Sequence, residues 1–369
     1  QSQVLPYLKG LTKEGYTFHL VSFEKPEKFK KHRKHIQQIC DEAGIHWHPQ
    51  DYKVGGSIID TVKQVRRMRR IAFYLHHKHQ FGIVHCRSYI AALAGLKLKK
   101  VKGVKFIFDM RGFWADERVD GKLWSLKNPM YKSIYNYFKR KEIQFFKEAD
   151  YTISLTSNGE NEIRSWESLK AQQPRIQVIP CCVDLSLFDP STIVQAEKTT
   201  LRSKLGIDAN DFILGYVGSI GTWYMLSEML DYFKVLKSQK SNAKFLFVTG
   251  EAPDSILNKA IEKSIDPNDL IITSVLHKEV PLCISLFDQS VFFIRPSYSK
   301  KASSPTKQGE IMAMGIPLIC NAGIGDTDSI VKKYNAGEIV TEFSDVSYLN
   351  IVSHQIKFDI NETIRGAQE

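Results

Sequence analysis

The sequence predicts an α/β protein of two doubly wound domains, and three observations carry that prediction. Short apolar, β-rich runs alternate with longer helical patterns from one end of the 369-residue chain to the other. Most of these runs are continuously apolar rather than alternating, as suits parallel strands covered on both faces. The pattern breaks at a proline-marked stretch near residues 180–200 and then restarts. A chain of this length is a soft prior for about two domains, each able to bury its own core.

The elements follow in order. A helical pattern covers 3–13 and a strand 17–23. Because a doubly wound domain normally begins with a strand, one is expected ahead of residue 1. Further strands are predicted at 83–86, 106–109, 151–155 and 177–179, completing a first domain over 1–190. Pro180-Cys181-Cys182-Val183-Asp184 leads through Phe188-Asp189-Pro190 into a polar stretch ending at Thr200. The second domain, 191–369, resumes with a helix and strands at 212–217, 244–248, 270–273, 291–294 and 318–321, each domain having its own sheet. The stretch 361–367 is loosely patterned, and a further closing helix is expected after it.

Composition excludes several classes. With 43% hydrophobic and 25% charged residues, the chain is neither disordered nor fibrous. The net charge of +11 is uneven: residues 1–150 hold 30 Lys and Arg against 14 Asp and Glu, or +16, while 151–369 hold 21 against 26, or −5. The first half therefore faces an anionic partner (nucleic acid, a membrane surface or a phosphorylated substrate) or is a solvated basic surface. Cys40, Cys86, Cys181, Cys182, Cys283 and Cys320 show no C-x-x-C pair and no metal-ligand spacing, which reads as a reduced, cytosolic chain without a zinc site. No apolar run reaches the roughly 18–20 residues of a membrane span, and the first ten residues lack the pattern of a signal peptide.

The most informative stretch is Ser303-Ser304-Pro305-Thr306-Lys307-Gln308-Gly309-Glu310-Ile311-Met312-Ala313-Met314-Gly315-Ile316-Pro317. Ser304 suits an N-cap, Pro305 the first helical position, and Gly315 with Pro317 a stop about three turns later. A helix starting just past the strand 291–294 lies where open α/β sheets bind ligands. Its free amides, with Lys307 beside them, can hold phosphate oxygens. Glu310, on the same helix face one turn deeper, can accept hydrogen bonds from ribose hydroxyls or simply support Lys307. A second phosphate-facing turn is Gly218-Ser219-Ile220-Gly221-Thr222, which reads equally as an ordinary tight turn.

In the first half, Asp109-Met110-Arg111-Gly112-Phe113-Trp114 follows directly on an apolar strand, placing Asp109 and Arg111 for polar recognition. His85-Cys86-Arg87-Ser88 ends a neighbouring strand; His85 reads as a satisfied core histidine and Arg87 as a ligand candidate. Two basic stretches remain, 28–35 and 63–70. In the second, Val62, Val65, Met68 and Ala72 recur at helical spacing while Lys63, Arg66, Arg67 and Arg70 cover the opposite side. Such a face can lie on anionic lipid or bind nucleic acid; without a helix-turn-helix, zinc-finger or RNP-like pattern, lipid ranks above nucleic acid.

At these residues the chain resembles the retaining glycosyltransferases of family 4, whose GT-B superfold has two Rossmann-like domains facing a central cleft. The likeness runs from the first helix and Gly15 to Gly337, and its most specific pieces are the Glu310 helix and the Ile179-Pro180, Val183-Asp184, Phe188, Pro190 linker. The form Ser-Ser-Pro-Thr-Lys-x-x-Glu resembles a subset of bacterial surface-polysaccharide transferases. The resemblance implies that Glu310, the second Glu of the family's Glu–seven residues–Glu motif, binds ribose. Ser304, Thr306 and Lys307 match the loop that meets the diphosphate, and Gly218 and Ser219 match the first turn of the donor domain. Ser274-Val275-Leu276-His277, with Val275 at its centre, is similar to the loop that recognises the base. No metal and no cofactor are implied, because helix dipoles and basic side chains replace the ion; the nucleotide-sugar, UDP-sugar favoured over GDP-sugar, is a substrate.

The chain departs from the family's pattern at three points. Ala302 stands where the first Glu of the motif falls. No Arg or Lys follows the Gly218 turn in 219–224, which puts diphosphate neutralisation onto Lys307 or Arg295. Asp109 stands where many members carry a His, leaving Asp109 and Arg111 as the candidates for orienting sugar or acceptor. The expected activity is transfer of a sugar, with retention, from a nucleotide-sugar to a hydroxyl of a lipid-linked glycan in surface polysaccharide or glycoconjugate synthesis, on the inner face of the plasma membrane. The rival expectation is a non-catalytic nucleotide-sugar or glycan-binding protein on the same scaffold.

Overall fold

The computed structural model describes residues 3–53, 55, 58–354 and 358–369. The chain divides into two compact units: Gln1–Ala115, Leu126–Ser154 and Glu162–Val178 form the first, and Asp116–Ser125, Leu155–Asn161 and Ile179–Glu369 the second. Both are Rossmann-like α/β layers on parallel strands, as the apolar runs predict.

The first 178 residues run α1 (Leu5–Lys13), β1 (His19–Glu24), α2 (Pro26–Glu42), β2 (His46–Asp51), α3 (Ile58–His79), β3 (Ile83–Arg87), α4 (Ser88–Lys102), β4 (Lys105–Asp109), α5 (Trp114–Asp120), α6 (Pro129–Glu148), β5 (Tyr151–Ser154), α7 (Ser157–Ser165) and β6 (Ile176–Val178). One sheet was expected here, and the strands form two, β1-β2 and β3-β4-β5-β6. Strand β2 was not predicted: His46-Trp47-His48-Pro49-Gln50-Asp51 is polar and holds a proline, tolerable because β2 is an edge strand whose one neighbour, β1, pairs in the register His19↔His46. Helix α4 lies close on its sheet through Gly95, where a Cβ would come 2.4 Å from Cys86 Sγ. Phe106, Phe108, Phe145 and Phe146 fill the core beneath it, with the Phe108 and Phe145 rings 5.1 Å apart. Fully buried Glu142 accepts from the Tyr89 hydroxyl and pairs with Lys139.

The second part runs α8 (Gln195–Lys204), β7 (Phe212–Val217), α9 (Leu226–Gln239), β8 (Ala243–Val248), α10 (Pro253–Glu262), β9 (Leu270–Thr273), α11 (Val280–Ile284), β10 (Gln289–Phe292), α12 (Thr306–Ala313), β11 (Leu318–Asn321), α13 (Thr327–Lys333), β12 (Gly337–Val340), α14 (Asp345–Ser353) and α15 (Ile360–Gln368). The sheet order is β12-β11-β10-β7-β8-β9, so the winding reverses between β7 and β10. Crevices at such a reversal, beyond the carboxyl ends of the strands, are where this architecture binds ligands. Strand β12 was also unexpected; it begins at Gly337, φ 144°, where a Cβ would collide with the Leu318 carbonyl. The loosely patterned 361–367 lies within α15, whose N-cap Asp359 accepts from Glu362 N at 2.9 Å. Two segments from earlier in the sequence join this unit: Glu117 pairs with buried Lys300 at 2.8 Å, Asp120 accepts from Ser299 N at 2.9 Å, and Asp326 accepts from Ser157 N at 2.6 Å. Among the described residues no helix is long and apolar enough to cross a membrane.

Candidate functional site

At the reversal point β7 is followed by Gly218, φ 105°, a conformation that favours glycine. Its amide donates to Val248 O at 2.9 Å, and a Cβ built on it would lie 3.4 Å from Lys307 Nζ. Lys307, in the first turn of α12, is only 7% exposed, and among the described residues its ammonium has no hydrogen-bond partner. Nζ sits 3.9 Å from the Tyr216 ring centroid and 3.6 Å from that of Tyr224. Burial pushes this ammonium well below the usual lysine range, opposed by Glu310. The Tyr216 hydroxyl donates to Ser219 O at 2.7 Å, fixing the turn that follows Gly218. Burial raises both phenols, Tyr224 to about 12, so the rings around Lys307 stay neutral at physiological pH.

One turn along α12, Glu310 has 14% of its side chain exposed, and Oε1 lies 3.7 Å from His277 Nε2. Burial raises this carboxyl, against the pull of His277 and then Lys307. His277 belongs to the segment after β9 that contains Val275, half-buried against the core; its ring meets Phe188 edge-on at 5.7 Å. The interdomain linker thus braces the histidine that faces Glu310. It also presses on α12 directly: a Cβ on Gly309 would be 3.4 Å from Val183, and Cys181 N donates to Ser304 Oγ at 3.1 Å.

That last bond corrects one expectation. Ser304 does not cap α12; the helix starts at Thr306 with Pro305 at the N-cap position and no side-chain cap, because the Ser304 hydroxyl is used on the linker. The helix is also eight residues long, shorter than three turns. Gly218, Ser219, Thr306, Lys307, Glu310 and Val275 all lie at this end of the sheet, with Ser219 exposed. Arg295, just beyond β10, is exposed, and its amide donates to Trp223 O at 2.9 Å. Ala302 is fully buried. Sequence reasoning missed Tyr216 and Tyr224, and the pairing of His277 with Glu310.

The first unit holds a separate group. Asp109, at the end of β4 and 6% exposed, has Oδ2 3.6 Å from His85 Nε2 and Oδ1 3.9 Å from Arg111; among the described residues Oδ1 has no hydrogen-bond partner. Arg111 adopts φ 60° and donates to Gln3 Oε1 at 3.1 Å, and Arg87 donates to the same oxygen at 2.7 Å. His85 is therefore no core histidine: β3 is an edge strand, and its imidazole is exposed beside a buried acid. On α3, Lys63, Arg66, Arg67 and Arg70 are exposed as expected, Val65 is buried, and Val62 is 45% exposed rather than covered. Among the described residues no group of three or more His, Cys, Asp or Glu could hold a metal ion.

A buried cation at a strand-to-helix turn, with a carboxylate one turn along the helix, is equipment for a phosphorylated ligand in a doubly wound α/β protein. Residues 3–187 match the model of Glycosyltransferase Family 4, and residues 197–352 that of Glycosyl transferases group 1. The chain belongs to glycosyltransferase family 4 and is a sugar-transferring enzyme. No curated protein sequence matches it. Among solved structures it is similar to sucrose-phosphate synthase from Thermosynechococcus elongatus, with TM-score 0.66 and 16% identity over 88% of this chain and 79% of that one. It is also similar to WaaG, a glycosyltransferase of lipopolysaccharide biosynthesis, with TM-score 0.64 and 14% identity over 100% of this chain and 90% of that one. Anabaena HepE, crystallised with UDP and glucose, matches with TM-score 0.63 and 14% identity over 90% and 82% of the two chains. These likenesses place the chain in the GT-B fold.

Proposed function

We propose that this enzyme transfers a sugar from a nucleotide-sugar, UDP-sugar in preference to GDP-sugar, to a hydroxyl of a lipid-linked glycan in surface polysaccharide or glycoconjugate synthesis. The observation that carries the donor reading is the buried Lys307 ammonium, unpartnered beside the Gly218 turn: such a charge is costly unless an anion meets it. A diphosphate on the turn would supply that anion, Glu310 would hold the ribose hydroxyls, and the segment around Val275 would face the base. HepE, with UDP and glucose bound on the same fold, supports the choice of base.

The reaction proposed is front-side displacement with retention. Lys307 and the start of α12 stabilise the leaving β-phosphate, which takes the acceptor proton as the new glycosidic bond forms; Thr306 and Ser219 line its path, and Arg295 is the second candidate cation. Fixed positive charge of this kind makes the reaction metal-independent, so turnover in EDTA is expected to equal turnover in Mg²⁺. Asp109 and Arg111, with Arg87, orient acceptor or sugar. The basic face of α3 holds the enzyme on the cytoplasmic leaflet of the plasma membrane.

The test is release of free UDP or GDP from a donor panel, with and without acceptor lipid. Glu310→Ala is expected to weaken donor binding by about tenfold or more, the loss of two charge-assisted hydrogen bonds. Unchanged donor affinity and turnover in that variant would overturn the assignment. The buried Ala302, where the family's first Glu stands, favours a second reading as a nucleotide-sugar-binding protein without turnover. Binding of the donor with no nucleotide release from any member of the panel would select it.

A further inference from the structure

Tyr216 makes two contacts at this end of the sheet. Its ring carries the Lys307 ammonium 3.9 Å from the centroid, and its hydroxyl donates to Ser219 O at 2.7 Å. The Tyr224 ring centroid lies 3.6 Å from the same ammonium, and its backbone bridges to Ile294 beyond the end of β10. The two rings also touch each other, 5.9 Å apart at 78°. An ammonium has three donors, and among the described residues none finds a hydrogen-bond acceptor; the aromatic faces compensate by attraction to the ring quadrupole, alongside the longer-range pull of Glu310. Gly218, with Nζ next to the space where a Cβ would stand, leaves the side of the ammonium toward the turn clear.

We infer that Tyr216 and Tyr224 are positioning residues for the donor diphosphate: together they hold Lys307 charged and aimed at the Gly218-Ser219 turn before any ligand arrives, and Tyr216 fixes the turn itself. The inference rests on the reading of this end of the sheet as the diphosphate site. It gives the two tyrosines a role that core packing alone would not: their removal should cost affinity for the phosphates and leave affinity for the nucleoside alone. Burial drives Lys307 toward the neutral form, which is the tendency the rings counter.

Calorimetric titration with UDP and with uridine, and with GDP and guanosine, measures the phosphate increment in each protein. Tyr216→Leu and Tyr224→Leu are expected to weaken the diphosphate by about tenfold or more each, the scale of a desolvated cation–π contact, while nucleoside affinity stays within about twofold. Tyr216→Phe keeps the ring and loses only the bond to Ser219, so a loss of about fivefold, with thermal stability near wild type, is expected. If diphosphate and nucleoside affinities fall together, or neither falls, the tyrosines are only core residues and the inference fails. Should Tyr216→Leu not fold, Tyr224→Leu and Tyr216→Phe decide it. Wild-type protein that binds the diphosphates no more tightly than the nucleosides overturns the diphosphate reading itself, a result separable from normal wild-type discrimination left intact in the variants.

Discussion

Lys307 and Glu310 share one helix face, and burial pushes both toward neutrality, from opposite ends of the pH scale. The donor contact proposed above needs both charged. Affinity for UDP-glucose, whose diphosphate does not titrate near neutrality, should therefore pass through a maximum, rising as Glu310 ionises and falling as Lys307 loses its proton below the ordinary lysine range. The alkaline limb should vanish in Lys307→Met, whose affinity is low throughout; a wild-type profile still flat at the usual lysine pKa, about 10.4, would show that the lysine is not in contact with the phosphates. Gly218→Ala should fail on a different ground, since φ 105° strains any side chain and the added Cβ faces Nζ at 3.4 Å; a stability loss of about 1–3 kcal/mol in chemical denaturation is expected. The placement of Lys307 and Glu310 on one helix face beyond a strand's carboxyl end was legible, because the spacing Pro-Thr-Lys-x-x-Glu after a strand dictates it. The contact of Tyr216 and Tyr224 with the ammonium was not, because an aromatic residue looks the same in sequence whether it fills a core or faces a cation. His85 misled for a related reason: periodicity reports that a residue lies on a strand, and only the sheet order reveals that the strand is at an edge.

Helix α3 presents Ile59, 67% exposed, and Val62 on the same side as Lys63, Arg66, Arg67 and Arg70. That mixture of apolar and basic groups suits an anionic lipid surface better than a purely solvated face. Replacing Arg66, Arg67 and Arg70 by Gln should cut sedimentation with anionic liposomes on the order of 100-fold, at about 1 kcal/mol per charge; unchanged sedimentation would leave α3 a solvated face. The β1–β2 pair carries its own titration. His19 Nδ1 lies 3.0 Å from His48 Nε2, and its ring centroid is 4.6 Å from that of His46 and 4.0 Å from that of His79. Burial first, then repulsion by His79, His46 and His48, lowers its pKa from 6.5 to about 4. The unfolded chain thus binds the proton more readily, and stability contributed here is lost as the pH falls from 6.5 towards 4. Thermal unfolding at pH 7 and pH 5 should show a larger drop for the wild type than for His19→Gln; equal drops would remove the histidines from the account. At this scale the strands with continuous apolar runs were readable and β2 and β12 were not: one is polar with a proline, the other short and opened by Gly337. The start of α12 was misplaced because Ser304 satisfies a linker amide, a long-range use of the hydroxyl that local capping rules cannot foresee.

Across the whole chain, residues 1–150 carry +16 and residues 151–369 carry −5, and the function proposed above assigns the two parts different kinds of recognition. That the chain folds as two α/β parts was legible from the restart of the strand pattern after the proline-marked linker. The membership of segments 116–125 and 155–161 in the second unit was not, since the ion pair of Glu117 with Lys300 joins residues far apart in the sequence. If the basic half meets lipid while the donor half binds its nucleotide by local contacts at the end of one sheet, the two functions should respond to different perturbations. Raising the salt to about 0.5 M shortens the screening length below about 5 Å and weakens an exposed cationic face far more than a buried lysine. Turnover on acceptor lipid in anionic vesicles should therefore fall steeply with salt, while turnover on a short water-soluble acceptor should change little. The Arg66, Arg67 and Arg70 to Gln variant should reproduce that selectivity at low salt, and Glu310→Ala should lower both turnovers alike. Because the groups share no partners, the combined variant on vesicles should show the sum of the two effects within about 0.5 kcal/mol. Equal losses on soluble and vesicle-borne acceptor in the arginine variant would mean that the basic helix acts on the reaction itself, and the division of labour drawn from the charge asymmetry would be wrong.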